Sequence, residues 1–266
     1  MRKSLTIFAA ASVALLLPAS GAFAQEAQTF TAELGQANNS GGTGTVTIEL
    51  DGTSADISIQ GQGFFDGFPH ALHLHGEPGG DNVCGPLNPG DSGFDEASSQ
   101  NLADGTPILS VADGAPSYGG VAVSLTTEGD TSPDSALDVD RFPTSGTIDY
   151  NRTVELPQDV ADNLTTLHVV VHGADLNGDG EIGPVEDEDG EEIPSSLDPE
   201  LPIEATAPAA CGQIVSAAGA GTGIATGAGG TATDSGATQA GAAAAGALAL
   251  AAAGGMALRR RNVLEG

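Results

Sequence analysis

Polar and apolar residues alternate in a series of short runs through the middle of the chain. They are "TVTIEL" (45–50), "ADISIQ" (55–60), "ALHLH" (71–75), "VAVSLTT" (121–127), "GTIDYNRTVEL" (146–156) and "TLHVVVH" (166–172). A period of two marks a strand with one face buried, because successive side chains point to opposite sides. Clusters of Gly, Pro, Asn and Asp separate the runs, and "GTSAD" (52–56) supplies turn residues for a hairpin between the first two. "CGQIVS" (211–216) reads as a last strand. No long stretch shows a capped 3.6-residue period; "PQDVADNLTTL" (157–167) has room for one helical turn or two. Many short strands in one domain predict an all-β fold, an antiparallel sandwich or barrel. The segment from Cys84 to Tyr118, rich in Gly, Pro, Asp and Ser, reads as a long loop insertion.

The two ends break this pattern. Arg2 and Lys3 precede an apolar run, Leu5 to Leu17, and Ala22-Phe23-Ala24 offers a small-x-small cleavage site. Residues 1–24 are expected to be a secretory signal peptide, which makes the mature chain an exported one. Near the other end, residues 240–258 carry no charge, and Arg259 to Arg261 follow directly. At about 1.5 Å per residue these 19 residues reach roughly 28 Å, the thickness of a hydrocarbon core. They are expected to form a C-terminal transmembrane anchor with a cytoplasmic tail over 259–266. The spacer, apolar segment and arginines resemble the tail of Gram-positive surface proteins, without an LPxTG sorting motif. Residues 217–239, rich in Gly, Ala and Thr, read as a flexible spacer with a reach of about 25 Å. One exported domain, 25–216, is left to bury a core.

Charge narrows the function. Of 36 acidic residues only Asp234 and Glu265 lie outside 25–216, leaving 34 against Arg141 and Arg152, a formal net of −32 for that domain. Such a surface repels nucleic acid and attracts cations. Metal cations and, through the anchor, the cell envelope are the expected partners; no protein partner is indicated. Cys84 and Cys211 are the two cysteines, and in an exported domain an isolated pair is most simply a disulfide. It would close a loop of 128 residues (84 through 211), worth up to about 4–5 kcal/mol in the chain-entropy model. The alternative, two thiolates in a metal site, lacks CxxC-type spacing.

The five histidines fall in two clusters, "HALHLHG" with His70, His73 and His75, and "LHVVVHG" with His168 and His172. His73 and His75 share a strand face, with β-carbons about 7 Å apart, close enough for both rings to converge on one ion. His168 and His172 are roughly 13 Å apart in a regular strand and cannot bind the same ion unless the strand breaks. His172, at the strand end, is the better third ligand, and His70, after Pro69, is a possible fourth. Imidazole ligation without thiolate suits copper or zinc. No GxSxG elbow is present, which disfavours serine-hydrolase chemistry.

Directly after His172 runs "DLNGDGEIGPVE", Asp175 to Glu186, which fits D-x-[DN]-x-[DN]-G-x5-E at every defined position. Asp175, Asn177 and Asp179 would give side-chain oxygens, Glu181 its carbonyl and Glu186 a bidentate carboxylate to calcium. Gly180 makes the sharp turn. A strand precedes the loop where an EF-hand has a helix, so the loop is expected to stabilise rather than switch.

With these residues in view, the domain resembles the bacterial CHRD-domain proteins, the family named after chordin. The likeness runs through "PHALHLHG" (69–76), Cys84, "GAPSYGGVAVSLTTEGDTSP" (114–133), "VDRFP" (139–143), "IDYNRT" (148–153), "LHVVVHGADLNGDG" (167–180) and "SSLDPELPIEATAPAACG" (195–212). More distantly it is similar to copper–zinc superoxide dismutase, which has an HxH strand followed by a cysteine, a later "VVH" element and a last-strand "ACG". That resemblance implies a Greek-key β-sandwich, a Cys84–Cys211 disulfide, and His73, His75 and His172 as copper ligands. The zinc-loop histidines and the arginine before Cys211 that this family carries have no counterpart here. The leading expectation is therefore a non-enzymatic, surface-tethered metal-binding module. Copper-dependent superoxide dismutation comes second and a calcium-dependent adhesin third.

Overall fold

A computed structural model describes residues 27–95 and 100–217. The chain divides into two compact units, Met1–Thr222 and Gly223–Gly266, and every described residue belongs to the first. The expected signal peptide, the span 240–258, the tail and the spacer beyond Ala217 lie outside the described residues. Among the described residues no helix is long and apolar enough to cross a membrane.

The strands are β1 (Gln28–Gln36), β2 (Thr43–Asp51), β3 (Ser54–Gln62), β4 (Leu72–His75), β5 (Gln100–Asn101), β6 (Pro107–Ile108), β7 (Val121–Ser124), β8 (Thr147–Glu155), β9 (His168–His172), β10 (Pro208–Gln213) and β11 (Val215–Ser216). Nine of them form one sheet in the order β7-β4-β9-β10-β1-β2-β3-β8, with β11 also on β1; β5 and β6 pair separately. Every pairing is antiparallel. The all-β expectation therefore holds.

Alternation sets the faces. In β2 and β3, Val46, Ile48, Leu50, Ala55, Ile57 and Ile59 point inward, and the register Asp51↔Ser54 leaves a two-residue turn. Gly52 takes φ +64° there, the left-handed region that a tight hairpin turn demands. β1 serves both halves of the sheet. Its Gln28–Leu34 stretch pairs with β2, and Gly35 and Gln36 pair with β10. The sheet curls so that Leu72, Leu74, Val123, Val169 and Val171 from one half pack in the same core as Ile48, Ile57, Ile59, Ile148 and Tyr150 from the other.

The central strands β4 and β9 are buried on both faces. Their Leu and Val residues at alternate positions enter that core. Their histidines, with Val170, take the opposite face, which three short helical pieces and their loops cover. α1 (Val111–Tyr118) begins at Ser110, whose hydroxyl and the Asp113 carboxylate cap each other's backbone N–H groups. A 3-10 turn over Pro133–Ser135 follows β7, and α3 (Ile203–Thr206) precedes β10. A further helical turn, α2 (Gln158–Asp162), fills the stretch where one was expected. The Cys84–Tyr118 segment is therefore more than a loop: it holds β5, β6 and α1. Cys84 and Cys211 form a disulfide, with Cα atoms 5.9 Å apart, that fastens this segment to the sheet centre.

Candidate metal centre

The register brings two strands' histidines onto one surface. His73 lies opposite Val170 and His75 opposite His168, so His73, His75, His168 and His172 all project from the same side of the β4–β9 pair. His172 extends β9 beyond this register, its N–H donating to Ala71 O at 2.9 Å. From there its ring leans over the HxH pair. The ring centroids of His73, His75 and His172 form a near-equilateral triangle with sides of 5.2–5.4 Å. Each residue offers one ring nitrogen, and these lie within 4.8 Å of one another. All three residues are buried, at 3% exposure.

Hydrogen bonds decide which nitrogens face inward. His75 Nδ1 donates to Gly119 O at 2.9 Å, His172 Nδ1 to Thr206 O at 2.7 Å and His73 Nε2 to Ala136 O at 3.1 Å. A neutral imidazole that donates from one nitrogen carries a lone pair on the other. The lone pairs therefore sit on His75 Nε2, His172 Nε2 and His73 Nδ1. The first two approach to 3.3 Å, and His73 Nδ1 is buried with no hydrogen-bond partner. Three inward lone pairs repel one another and have no proton to share. A cation between them removes the conflict, and this donor set fits a transition-metal ion.

The three carbonyls have a common origin. Gly119 closes α1, Ala136 closes the 133–135 turn, and Thr206 ends α3. The last carbonyls of a helical turn have no partner within it and are free to accept from a side chain. Gly119 takes φ +81°, and a β-carbon there would lie 2.5 Å from Gly76 Cα. Only glycine fits while keeping its carbonyl on His75. The loop that presents Ala136 is tied down by both arginines among the described residues. Arg141 pairs with Asp138 and donates to Ser135 Oγ at 2.8 Å, and Arg152 donates to Thr126 O at 2.6 Å.

Burial keeps the rings neutral. It pushes His75 down to about 3, with His172 nearby adding to the effect, and His172 down to about 4. His73 is held well below the usual imidazole range by burial first and by His172 and His75 second. Neutral rings are the ligand form.

The other two histidines lie apart from this trio. Both ring nitrogens of His70 face carbonyls, His172 O at 2.9 Å and Phe65 O at 2.6 Å, so it is not placed as a fourth ligand. His168 Nε2 contacts Gln213 Oε1 at 2.6 Å.

The 175–186 loop winds around its own side chains. Asp175 accepts from Gly178 and Gly180 N–H at 2.7 and 3.0 Å, Asn177 Oδ1 from Asp179 N–H at 2.9 Å, and Asp179 Oδ1 from Glu181 N–H at 2.9 Å. Gly180 takes φ +83°, the turn expected of it. Among the described residues the carboxylates of Asp175, Asp179, Glu181 and Glu186 do not gather as the three histidines do. Glu186 instead bridges to Glu192 through its backbone. Sequence reasoning missed Glu204. This buried carboxylate accepts from Leu176 N–H at 2.7 Å, Asn177 N–H at 3.3 Å and Gly183 N–H at 2.8 Å. It clips the loop to α3, two residues before the carbonyl that holds His172. Burial raises its pKa, with the three N–H donors working against that rise. Nothing in the sequence distinguishes Glu204 from the other acids.

No family model matches the chain, and no curated protein matches it. The resemblance to CHRD-domain proteins is supported by neither comparison. Among solved structures, the chain is similar to a glutamate-to-glutamine mutant of Candida albicans superoxide dismutase 5, with 12% identity and a TM-score of 0.31, over 72% of this chain and 93% of that one. At that level the likeness carries no functional weight, and the chemistry has to be argued from the three imidazoles.

Proposed function

We propose that this chain is an exported, surface-tethered module of the CHRD type that binds a copper or zinc ion between His73, His75 and His172, in a binding rather than a catalytic role. One observation carries the reading: three buried rings whose lone-pair nitrogens turn towards a common point, each with its far nitrogen held by a backbone carbonyl. Imidazole donors of this kind suit copper and zinc, and either ion would supply a Lewis-acid centre, copper a redox centre as well. Metal analysis of the full chain after dialysis against Cu(II) or Zn(II) tests it. One ion per chain is expected, lost in His172→Ala and kept in His168→Ala, with circular dichroism confirming that both variants fold. No uptake, or uptake indifferent to His172→Ala, overturns the reading.

A redox enzyme of the superoxide dismutase type is the second reading. Three protein nitrogens beside a cavity leave a position open, as catalytic metal sites do. Copper-loaded chain without dismutase activity would dispose of it. Calcium in the loop of Asp175, Asn177, Asp179, Glu181 and Glu186 is a further part of the proposal, supported by the ligand spacing and by the left-handed Gly180. A loop that binds calcium raises the thermal midpoint in millimolar calcium and loses that gain in Asp179→Ala. The adhesin reading adds that chelation abolishes cell or matrix attachment.

A further inference from the structure

A cavity of about 170 Å³ opens beside the three histidines. Its walls are unlike the rest of the molecule. The chain carries a formal charge of −29, and 16% of its residues are charged, yet among the described residues no Asp, Glu, Lys or Arg lines this space. Apart from the three rings and Thr206, the wall is aliphatic, aromatic, proline or glycine. Val111 and Ala115 come from α1, Val121 from β7, and Leu201 and Ala205 from the segment around α3. α1 and α3 are two of the three pieces whose carbonyls orient the rings, and Ala136 of the third also lines the wall, so the cavity and the site are built together.

The outer wall strengthens the point. Large exposed apolar side chains are few among the described residues: Val83, Leu137, Leu197 and Val215. Two of the four, Leu137 at 38% and Leu197 at 51% exposure, line this cavity. Single exposed leucines are ordinary, but two that line one apolar cavity form the kind of clustered apolar surface that marks a ligand or partner site. Nor does a cation draw anions in. Arg141 and Arg152 are engaged in the 126–141 loop and neither lines the wall. A small anion would cross a negative field to reach a space that offers it no counter-charge beyond the ion itself.

We propose that this cavity binds a small, neutral, largely apolar molecule of about benzene size, whose single nitrogen or oxygen donor completes the coordination of the ion held by His73, His75 and His172. Apolar cavities of about 150 Å³ hold benzene, which sets the scale. The inference rests on the metal reading above and adds the class of ligand to it. A convergent polar point in an otherwise apolar pocket is the general form of a small-molecule site: the wall supplies affinity and the ion fixes orientation.

The test uses Cu(II)-loaded full chain and follows the visible absorption of the copper as pyridine, 4-methylpyridine and azide are added. Each affinity is divided by that of the same probe for a small Cu(II) chelate in water, which removes differences in donor strength. The methyl group is expected to tighten binding about fourfold, the ~0.8 kcal/mol of one buried methylene-sized group. Azide is expected to bind more weakly than on the chelate. Leu197→Glu, a change at a half-exposed position, should erase the methyl gain while copper stoichiometry stays at one. A chain that takes up no copper overturns both readings. Copper uptake with no methyl gain, or a gain that survives Leu197→Glu, overturns the apolar-ligand proposal alone. A dimer by light scattering that 4-methylpyridine fails to dissociate assigns the cavity to a second copy and likewise overturns it.

Discussion

Lowering the pH of the metal-free protein from 7 to 5 should cost much of its stability, and the three buried rings set the amount. In the unfolded chain an imidazole titrates near 6.5, so at pH 5 it is almost wholly charged. In the fold His172 stays neutral down to about 4 and His75 down to about 3, with His73 also held low. The folded pKa values lie below the unfolded ones. The stability they carry is therefore complete above pH 6.5 and drains away as the pH falls from 6.5 towards 4 and 3. His75 and His172, kept neutral at pH 5, cost about 2 kcal/mol each, from 1.5 pH units at about 1.4 kcal/mol per unit, so the two together cost about 4 kcal/mol, and His73 adds in the same direction. The slope near pH 5 from these two alone approaches two protons taken up on unfolding, about 3 kcal/mol per pH unit. His168, also lowered by burial, acts in the same direction. Most carboxylates titrate below this window, which isolates the histidine contribution. Urea unfolding of chelator-treated protein at pH 7, 6 and 5, followed by far-ultraviolet circular dichroism, measures it. A loss below about 1.5 kcal/mol over that range would mean that the rings already carry protons in the fold, and the lone-pair argument would fail with it. Bound metal should shift the loss to lower pH, because protons must then compete with the ion.

Three further outcomes follow from single contacts. Gly119→Ala places a β-carbon against Gly76 in a left-handed conformation, so it should cost about 2 kcal/mol or more in urea and weaken metal binding by displacing the His75 acceptor. Glu204→Gln removes the charge that three loop N–H groups share, which should lower stability by about 2 kcal/mol and speed proteolysis within 175–186, read by mass spectrometry of the fragments. Cys84→Ser with Cys211→Ser releases a crosslink between residues 127 apart and should lower the unfolding free energy by up to about 4–5 kcal/mol without changing the far-ultraviolet spectrum.

Because burial of one face writes itself into the sequence at period two, the strands with clear alternation were legible within a residue or two, except that β7 stops at Ser124, three residues short of the run read there. β1 was not, since its inward positions include Ala32 and its end runs through Gly35, too small to stand out. α1 was hidden by Gly114 and Pro116, although Ser110 and Asp113 spell a capping box that the spacing rule could have found. The HxH pair and His172 could be picked out because side chains carry the chemistry and strand geometry fixes their spacing. Their orienting partners could not. Gly119, Ala136 and Thr206 act through carbonyl oxygens, which every residue possesses, and only the chain path reveals which three are used. His70 shows the reverse: a histidine near the cluster whose two nitrogens are taken by backbone, a fate the sequence does not encode locally.

The place of β10 has a consequence for how the molecule can form. This strand comes from the end of the described chain yet lies between β9 and β1, in the middle of the sheet. Until Pro208–Gln213 has been added, β9 and the end of β1 present bare edges, and α3 has no strand to lead into. The sheet therefore cannot grow progressively from the N-terminus as the chain lengthens. Its closure waits for contacts between residues far apart in sequence, which makes formation slow relative to helical proteins of the same size. A chain cut short before Pro208 is left with the apolar edge of β9 and the end of β1 unpaired, and such edges join to other chains.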